Sequence, residues 1–336
     1  MPSFERESQR IVIAGASSLL GAELKSLLEE SKFTGWDLRL VDEEVAAGTL
    51  TEAGGEPAVI QPVEEGTFSK ARFVFFTGSI DFTLANLQQA RESGAQIVHL
   101  SGHSAAFANS FEWFPGIETL RGDSLPASSP LAVIPSAAAE AIARLSLSLK
   151  GLGLSSLTAT VHQTVSAAGK NGIEELESQT TQLLAFQSPG KQIFDAQVAF
   201  NMLDRFGPGS RFDLGQAQAT LRNEIAVCLR GQPVLPAVRL LHVPLFYGVT
   251  FSACAKFGLS TDADKITNAC VRGGFAILED AEAGPSNMTA AGETVIHVAK
   301  PEANPLQPQS WWFWGAADNI RLPAWNAVKL AEKLVP

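Results

Sequence analysis

The chain reads as an α/β protein: a doubly wound parallel sheet, joined to a second, α+β domain with a large mixed sheet. Three observations predict this. Over the first third, short apolar runs alternate with amphipathic stretches of about ten residues, the pattern of βαβ units and hence of parallel strands. A turn bounded by glycines, residues 15–21, joins the first apolar run to the first amphipathic stretch. The 336 residues are also too many for one ordinary core, so two domains are the default.

Each element follows from its own pattern. RIVIAG is a buried strand, and GAELKSLLEE a helix with Leu24, Leu27 and Leu28 on one face. WDLRLVD and ARFVFFTG are the next strands, LANLQQARES a second helix, and AQIVHLSG a further strand. Beyond them lie longer apolar strands, from LSSLTATVH to RLLHVPLFYGVTFSACAKF, and the helix LRNEIAVCL. The tryptophan-rich run at 311–314 reads as interdomain or sheet core, and ITNACVRGGFAIL as an apolar helix with Cys270 in the core.

Composition narrows the function. With 46% hydrophobic and 18% charged residues the chain is globular. A net charge of −10 argues against a nucleic-acid surface, which needs clustered Lys and Arg. No apolar run approaches the roughly 18 residues of a membrane-spanning helix, and MPSFERESQR lacks a signal-peptide core. Cys228, Cys254 and Cys270 are widely spaced and odd in number, as expected of reduced cytoplasmic thiols. No His or Cys spacing suggests a metal site.

The turn Gly15-Ala-Ser-Ser-Leu-Leu-Gly21 follows a strand and opens a helix. Glycine there lets backbone N–H groups approach a pyrophosphate, and the helix dipole favours the anion. Ser17 and Ser18 can add hydroxyl donors. Asp42 ends the second strand about 20 residues later, where an acid receives the adenosine ribose hydroxyls in NAD binders. The residues after it are Glu43-Glu44-Val45-Ala46-Ala47-Gly48, carboxylates that would repel a 2′-phosphate. NAD is therefore favoured over NADP. A tight turn without ligand, beside a solvated acidic loop, is the alternative.

The segment around Ala132-Val-Ile-Pro-Ser-Ala-Ala-Ala-Glu-Ala141 resembles the place where the aspartate-semialdehyde dehydrogenase family carries its nucleophile, on Asn-Pro-Asn-Cys-(Ser/Thr)-Thr. Pro135 matches, Ser136 stands for the second asparagine, and Ala137 stands where the sulfur would be. An alanine methyl forms no thiohemiacetal. The resemblance extends over essentially the whole chain. Gly15 and Gly21 match the family's glycine turn, with Ser18 in place of its middle glycine. Thr77-Gly78-Ser79 resembles its Ser-Ala-Gly-Gly turn, which lies against the cofactor. LSGHSAAF resembles (Asn/Leu)-Ser-(Ser/Ala)-x-Phe-Arg, but Ser104 and Ala105 occupy the neighbourhood of the family's anion-holding arginine and neither supplies its cationic fork; His103 is the nearest possible cation. Gln163, Val165, Ser166, Ala167, Ala168 and Gly169 match Gln-x-Val-Ser-Gly-Ala-Gly, and Gln163 corresponds to an active-site glutamine. Gln197-Val-Ala-Phe-Asn201 resembles the Phe-Asn stretch that follows. Glu224 matches the glutamate of Glu-x-x-Lys, with Val227 at the lysine. Pro244 and Gly248 keep the register of Arg-Val-Pro-Val-x-x-Gly-His-Ser, while His242 replaces the arginine and Val249 the general-base histidine. Asp318, Asn319 and Arg321 match the terminal segment, where the family uses the asparagine near the nicotinamide; Leu322 and Pro323 replace Lys-Gly.

The resemblance implies a Rossmann-type dinucleotide-binding domain, residues 1–132 with 317–336, and a dimerisation and substrate-like domain, residues 133–316. It implies cofactor contacts at Gly15, Ser17, Ser18, Gly21, Asp42, Thr77, Gly78 and Asn319. No catalytic residue is expected at Ala137 or Val249, although Gln163 and Glu224 are retained. Cys228 lies at i+4 from Glu224 and is the best relocated thiol; Cys254 and His162 should point away from Val249 and Gln163 by strand alternation. LLHVPLFYGV is apolar almost throughout, which calls for cover on both faces and so for a homodimer. Two functions stay open. One is a pseudoenzyme-like NAD-binding dimer. The other is an active NAD(P)-dependent oxidoreductase acting on a semialdehyde or related small molecule in amino-acid biosynthesis, without a thiol at 137.

Overall fold

The computed structural model describes residues 9–335 apart from 47, 54, 55, 101, 103–105, 108, 127–130 and 279–283. The positions noted above at Ala47, His103, Ser104 and Ala105 lie outside the described residues. The chain divides into two compact units, one of Met1–Pro115, Leu125–Pro135 and Pro323–Pro336, the other of Gly116–Ser124 and Ser136–Leu322. The sequence reading divided it at 132/133 and 316/317.

The first unit opens with β1 (Arg10–Ala14), α1 (Leu19–Glu29) and β2 (Asp37–Asp42). A small antiparallel pair, β3 (Leu50–Ala53) and β4 (Glu56–Val59), precedes the short β5 (Gln61–Pro62). Then come β6 (Ala71–Phe76), α2 (Ile80–Glu92), β7 (Gln96–Leu100) and β8 (Ser110–Glu112); after α3 (Ile117–Arg121), which clusters with the second unit, the sheet is completed by β9 (Leu131–Ile134). The strands form one sheet in the order β5-β2-β1-β6-β7-β9-β8, all parallel. Parallel strands joined by helical crossovers are covered on both faces, which is why they read as unbroken apolar runs. Ile11, Val12, Ile13, Phe73, Val74, Phe75 and Phe76 are all fully buried. Leu24, Leu27 and Leu28 form the buried stripe of α1, as their spacing predicts.

The second unit contains α4 (Ala137–Leu149), β10 (Leu154–Gln163), α5 (Gly169–Leu184), α6 (Leu214–Cys228), β11 (Ala237–His242) and β12 (Val249–Phe257). These are followed by α7 (Ala263–Arg272), β13 (Phe275–Leu278), β14 (Ile296–Ala299), β15 (Glu302–Ala303) and β16 (Ser310–Ala317). The last helix, α8 (Arg321–Leu334), begins there and lies mostly in the first unit. Its sheet runs β11-β10-β12-β16-β14-β13, with β15 added beside β16. It is mixed: β10 pairs parallel to β11 and antiparallel to β12, and β12 is antiparallel to β16.

Alternation along β12 separates the two faces. Val249, Phe251, Ala253, Ala255 and Phe257 are buried, and α4 packs against β10, β12 and β16 on that side. Ser252, Cys254 and Lys256 alternate with them toward the other face and are less covered. On β16 the same rule leaves Trp312 and Trp314 46% and 40% exposed, while Trp311 and Phe313 are buried. The tryptophan run is thus core at every second position only. LLHVPLFYGV is not one strand either. β11 ends at His242 and β12 begins at Val249, because Pro244 has no N–H to add to a ladder and Gly248 turns the chain at φ +88°. The proposed apolar helix at 266–278 is likewise split: α7 stops at Arg272, Gly273 and Gly274 follow, and FAIL forms β13.

Candidate functional site

In the first unit the glycine turn is built by close packing. Gly15 has φ +96°, and a Cβ on it would lie 2.2 Å from the backbone nitrogen of Gly78. A Cβ on Gly21 would lie 2.4 Å from the Gly15 carbonyl oxygen. Thr77 closes the group by donating its hydroxyl to the Gly15 carbonyl at 2.9 Å. Both serines are engaged. The Ser17 N–H donates to Asp42 Oδ2 at 2.7 Å, and Ser18 caps α1 by accepting from the Gly21 N–H at 2.9 Å. The buried Asp42 carboxylate also accepts the Glu43 N–H through Oδ1 at 2.8 Å, so each of its oxygens holds one backbone donor and keeps acceptor capacity. Glu43 accepts the Ser79 hydroxyl, and Ser79 in turn caps α2. Gly15, Ser17, Ser18, Gly21, Asp42, Thr77 and Gly78 therefore form one connected turn.

In the second unit Ala137 is the first residue of α4 and only 2% exposed. Beside it Ser136 is the N-cap, its oxygen accepting from the Ala139 N–H at 3.3 Å. The same serine donates twice to one oxygen of Glu224: its N–H to Oε2 at 2.8 Å and its hydroxyl to Oε2 at 2.7 Å. Glu224 is buried on α6, and Cys228 is buried one turn further on. No sequence pattern announced this partnership, since the two residues are 88 positions apart and capping alone accounts for a serine before a helix.

A second group forms where the sheet strands end. Gln163, the last residue of β10, is paired on one side with His242 and on the other with Val249. The sheet thus sets side by side three positions that the resemblance singled out. The segments around them are stitched together: Val243 N–H to the Gln163 carbonyl, Val165 N–H to Leu245 and Ser166 N–H to Phe246. Asn319 spans this turn, accepting the Gly248 N–H at 2.7 Å and donating to the Ser166 hydroxyl at 3.0 Å. Its amide, expected to serve a cofactor, is bonded within its own unit at both ends.

His242 is 1% exposed and sits among rings, 5.9 Å from Phe194 and 5.3 Å from Phe206. Burial pushes its pKa down from 6.5 to about 4, against a hydrogen bond to the Val198 carbonyl that pulls the other way. Among the described residues its Nε2 has no hydrogen-bond partner. The ring is neutral at pH 7 and cannot act as the cation that an arginine would supply. His162 faces away from this group; its Nδ1 lies 3.0 Å from the Thr250 hydroxyl, its ring 5.8 Å from Trp314, and burial lowers its pKa. The three cysteines are free thiols; burial raises the pKa of Cys254, and that of Cys270 to about 12. A thiol held protonated is a poor nucleophile. Among the described residues no group of His, Cys, Asp and Glu could hold a metal ion.

Comparison with known proteins agrees with this architecture. Residues 147–322 match the model of the semialdehyde dehydrogenase dimerisation domain. A USG-1 protein homolog of Azotobacter vinelandii is 29% identical over 97% of both chains. Aspartate-semialdehyde dehydrogenase 2 of Vibrio cholerae is 24% identical, again over 97% of both. The crystal structure of aspartate semialdehyde dehydrogenase II from Vibrio cholerae superposes with a TM-score of 0.84 at 22% identity, covering 97% of this chain and 98% of that one.

The buried imidazole gives a pH signature. Because the folded pKa of His242 lies below its unfolded 6.5, the unfolded chain takes the proton first, and stability falls as pH drops from about 6.5 toward about 4. The loss from this one group is at most about 3 kcal/mol. His242→Leu should flatten that part of the curve relative to the parent in urea titrations at pH 6.5, 5.5 and 4.5. Parallel curves for the two proteins would rule out a buried neutral imidazole.

Proposed function

Because the chain belongs to the semialdehyde dehydrogenase family, we propose that it is a pseudoenzyme-like member that keeps the dinucleotide fold and the dimer but not the covalent aldehyde chemistry. The observation that carries this is Ala137: a buried methyl at the first position of α4 offers no nucleophile to an aldehyde. The positions that should assist are equally changed. Val249 is buried and has no proton to give or take, and His242 is neutral inside an aromatic cluster.

In this reading the first unit binds NAD. Its glycine turn has the close-packed geometry such a ligand needs, and the first-turn amides of Leu19 and Leu20, which have no acceptor within the helix by position, face an anion at the positive end of α1. Asp42 retains lone pairs for ribose hydroxyls, and the exposed Glu43 and Glu44 disfavour the 2′-phosphate of NADP. A bound dinucleotide would bring hydride chemistry; this chain's residues would hold and orient it. The second unit forms a two-fold homodimer through the sheet face on which Trp312 and Trp314 are exposed. No helix among the described residues is long and apolar enough to cross a membrane, and we place the dimer in the cytoplasm, where its three thiols stay reduced.

Three measurements check this function. Purified protein should show no phosphate-dependent oxidation of aspartate semialdehyde above background with either NAD or NADP. Ala137→Cys with Val249→His should recover little, because the anion clamps at His242 and Val227 are also gone. Turnover by the unmodified chain that thiol reagents abolish would overturn the reading and direct attention to Cys228. In calorimetric titration NAD should bind more tightly than NADP; the reverse order would remove Asp42 from the ribose site. Light scattering at low micromolar concentration should give twice the chain mass, and a value near 35.7 kDa would exclude the dimer.

A further inference from the structure

We propose that Ser136 and Glu224 form a nucleophile–base pair, giving the second unit an acyl-transfer activity toward thioesters and activated esters. Capping α4 requires only a lone pair on the Ser136 oxygen, which the Ala139 N–H takes. It does not require a buried carboxylate on the hydroxyl hydrogen. Yet Glu224, 4% exposed, is brought from another helix and accepts that hydrogen at 2.7 Å. Removing a carboxylate from water is unfavourable unless charge-assisted hydrogen bonds replace the lost hydration. Here the Ser136 N–H, at 2.8 Å, donates to the same oxygen and keeps it beside the hydroxyl. A hydroxyl within hydrogen-bond reach of a base is the first requirement of an activated serine.

The surroundings suit a developing alkoxide. Ser136 is only partly buried, unlike the Glu224 and Ala137 beside it. It lies at the positive end of a 13-residue helix, whose first-turn amides of Ala137 and Ala138 have no acceptor within the helix by position and can take up an oxyanion. The buried Ala137 methyl keeps the turn small. Val227, one turn on from Glu224, adds no cation for a phosphate, so the favoured leaving group is a thiolate or an aryl oxide rather than phosphate.

The chemistry balances without a cofactor. Ser136 Oγ bonds to the acyl carbon as its proton passes to Glu224 Oε2; the bond to the leaving group breaks, and that group departs with the proton. Water then attacks the acyl-serine, Glu224 takes the water proton and returns it to Oγ, and the acid is released. The pair acts whether or not a dinucleotide binds, so this inference and the proposed function fail independently.

The test uses full-length protein with p-nitrophenyl acetate and with the acetyl thioester of N-acetylcysteamine. Acid-quenched samples should carry one acetyl group on the peptide containing Ser136. Glu224→Gln should slow its formation about 100-fold. Ser136→Asn, which still caps the helix, should abolish it while leaving the circular dichroism spectrum and Tm close to the parent's. Acetylation only at lysine or cysteine, or an unchanged rate in either variant, would overturn the pair. Should Ser136→Asn fail to fold, the parent decides alone: an unmodified Ser136 peptide after exposure to both reagents refutes the proposal.

Discussion

The second unit depends on helix α4 being buried along almost its whole length. Every residue from Ala139 to Leu147 is buried, two of them charged: Glu140 and Arg144. Charges inside a core are tolerated only when paired and fully bonded. Arg144 donates through Nε and Nη2 to Glu140 Oε1, one turn back, and through Nη1 to the Gly273 carbonyl at 2.7 Å. That last bond ties α4 to the end of α7. Gly274 follows at φ +90°, a conformation that L side chains rarely adopt, and a Cβ there would lie 2.7 Å from Arg144 Nη1. With α4 anchored, its apolar surface covers the inner face of the sheet, and its N-terminus presents Ser136 and Ala137 at a defined place.

The same economy governs polar groups at the positions the family resemblance marks. Glu224 is held by Ser136, Asn319 by Gly248 and Ser166, and Asp42 by Ser17 and Glu43. A buried or half-buried polar group that lost a ligand partner would be costly if left unpaired, whereas one bonded within the chain is not. His242 shows the other solution: the ring is neutral and packs among phenylalanines. Around the buried Ala137 and Val249 these polar groups are thus bonded within the chain. The Ser136 hydroxyl is bonded to a buried carboxylate, that of Glu224.

The loop between α5 and α6 shows a similar substitution of side chains for regular structure. Residues 187–213 lack long helices or strands, yet Gln179 accepts the N–H groups of Val198 and Ala199 and donates to the carbonyls of Gly190 and Ala196. Glu175, one turn earlier on α5, accepts from Ile193 and Phe194. These bonds position Phe194 against His242. Neither Glu175 nor Gln179 stands out in the sequence, because an exposed helix face would carry the same residue types.

What the sequence by itself determined is the order of the elements and the side each presents. The runs RIVIAG and FVFF, the stripe of α1 and the turn of Gly15, Gly21 and Gly78 follow from local periodicity and backbone sterics, which need no distant partner. It also shows directly that residues 137 and 249 are alanine and valine, which carry no thiol or imidazole wherever they lie. Tertiary structure alone decided the pairings: Glu224 with Ser136, Gln163 between His242 and Val249, Asn319 across the Gly248 turn, and Trp312 turned outward while Trp311 turns in. It also divided LLHVPLFYGV at Pro244 and Gly248 into the end of one strand, a turn and the start of another. The reason is physical. Hydrophobic pattern sets which face is buried, but a hydrogen bond or a pKa shift is set by atoms that only folding brings within about 3 Å.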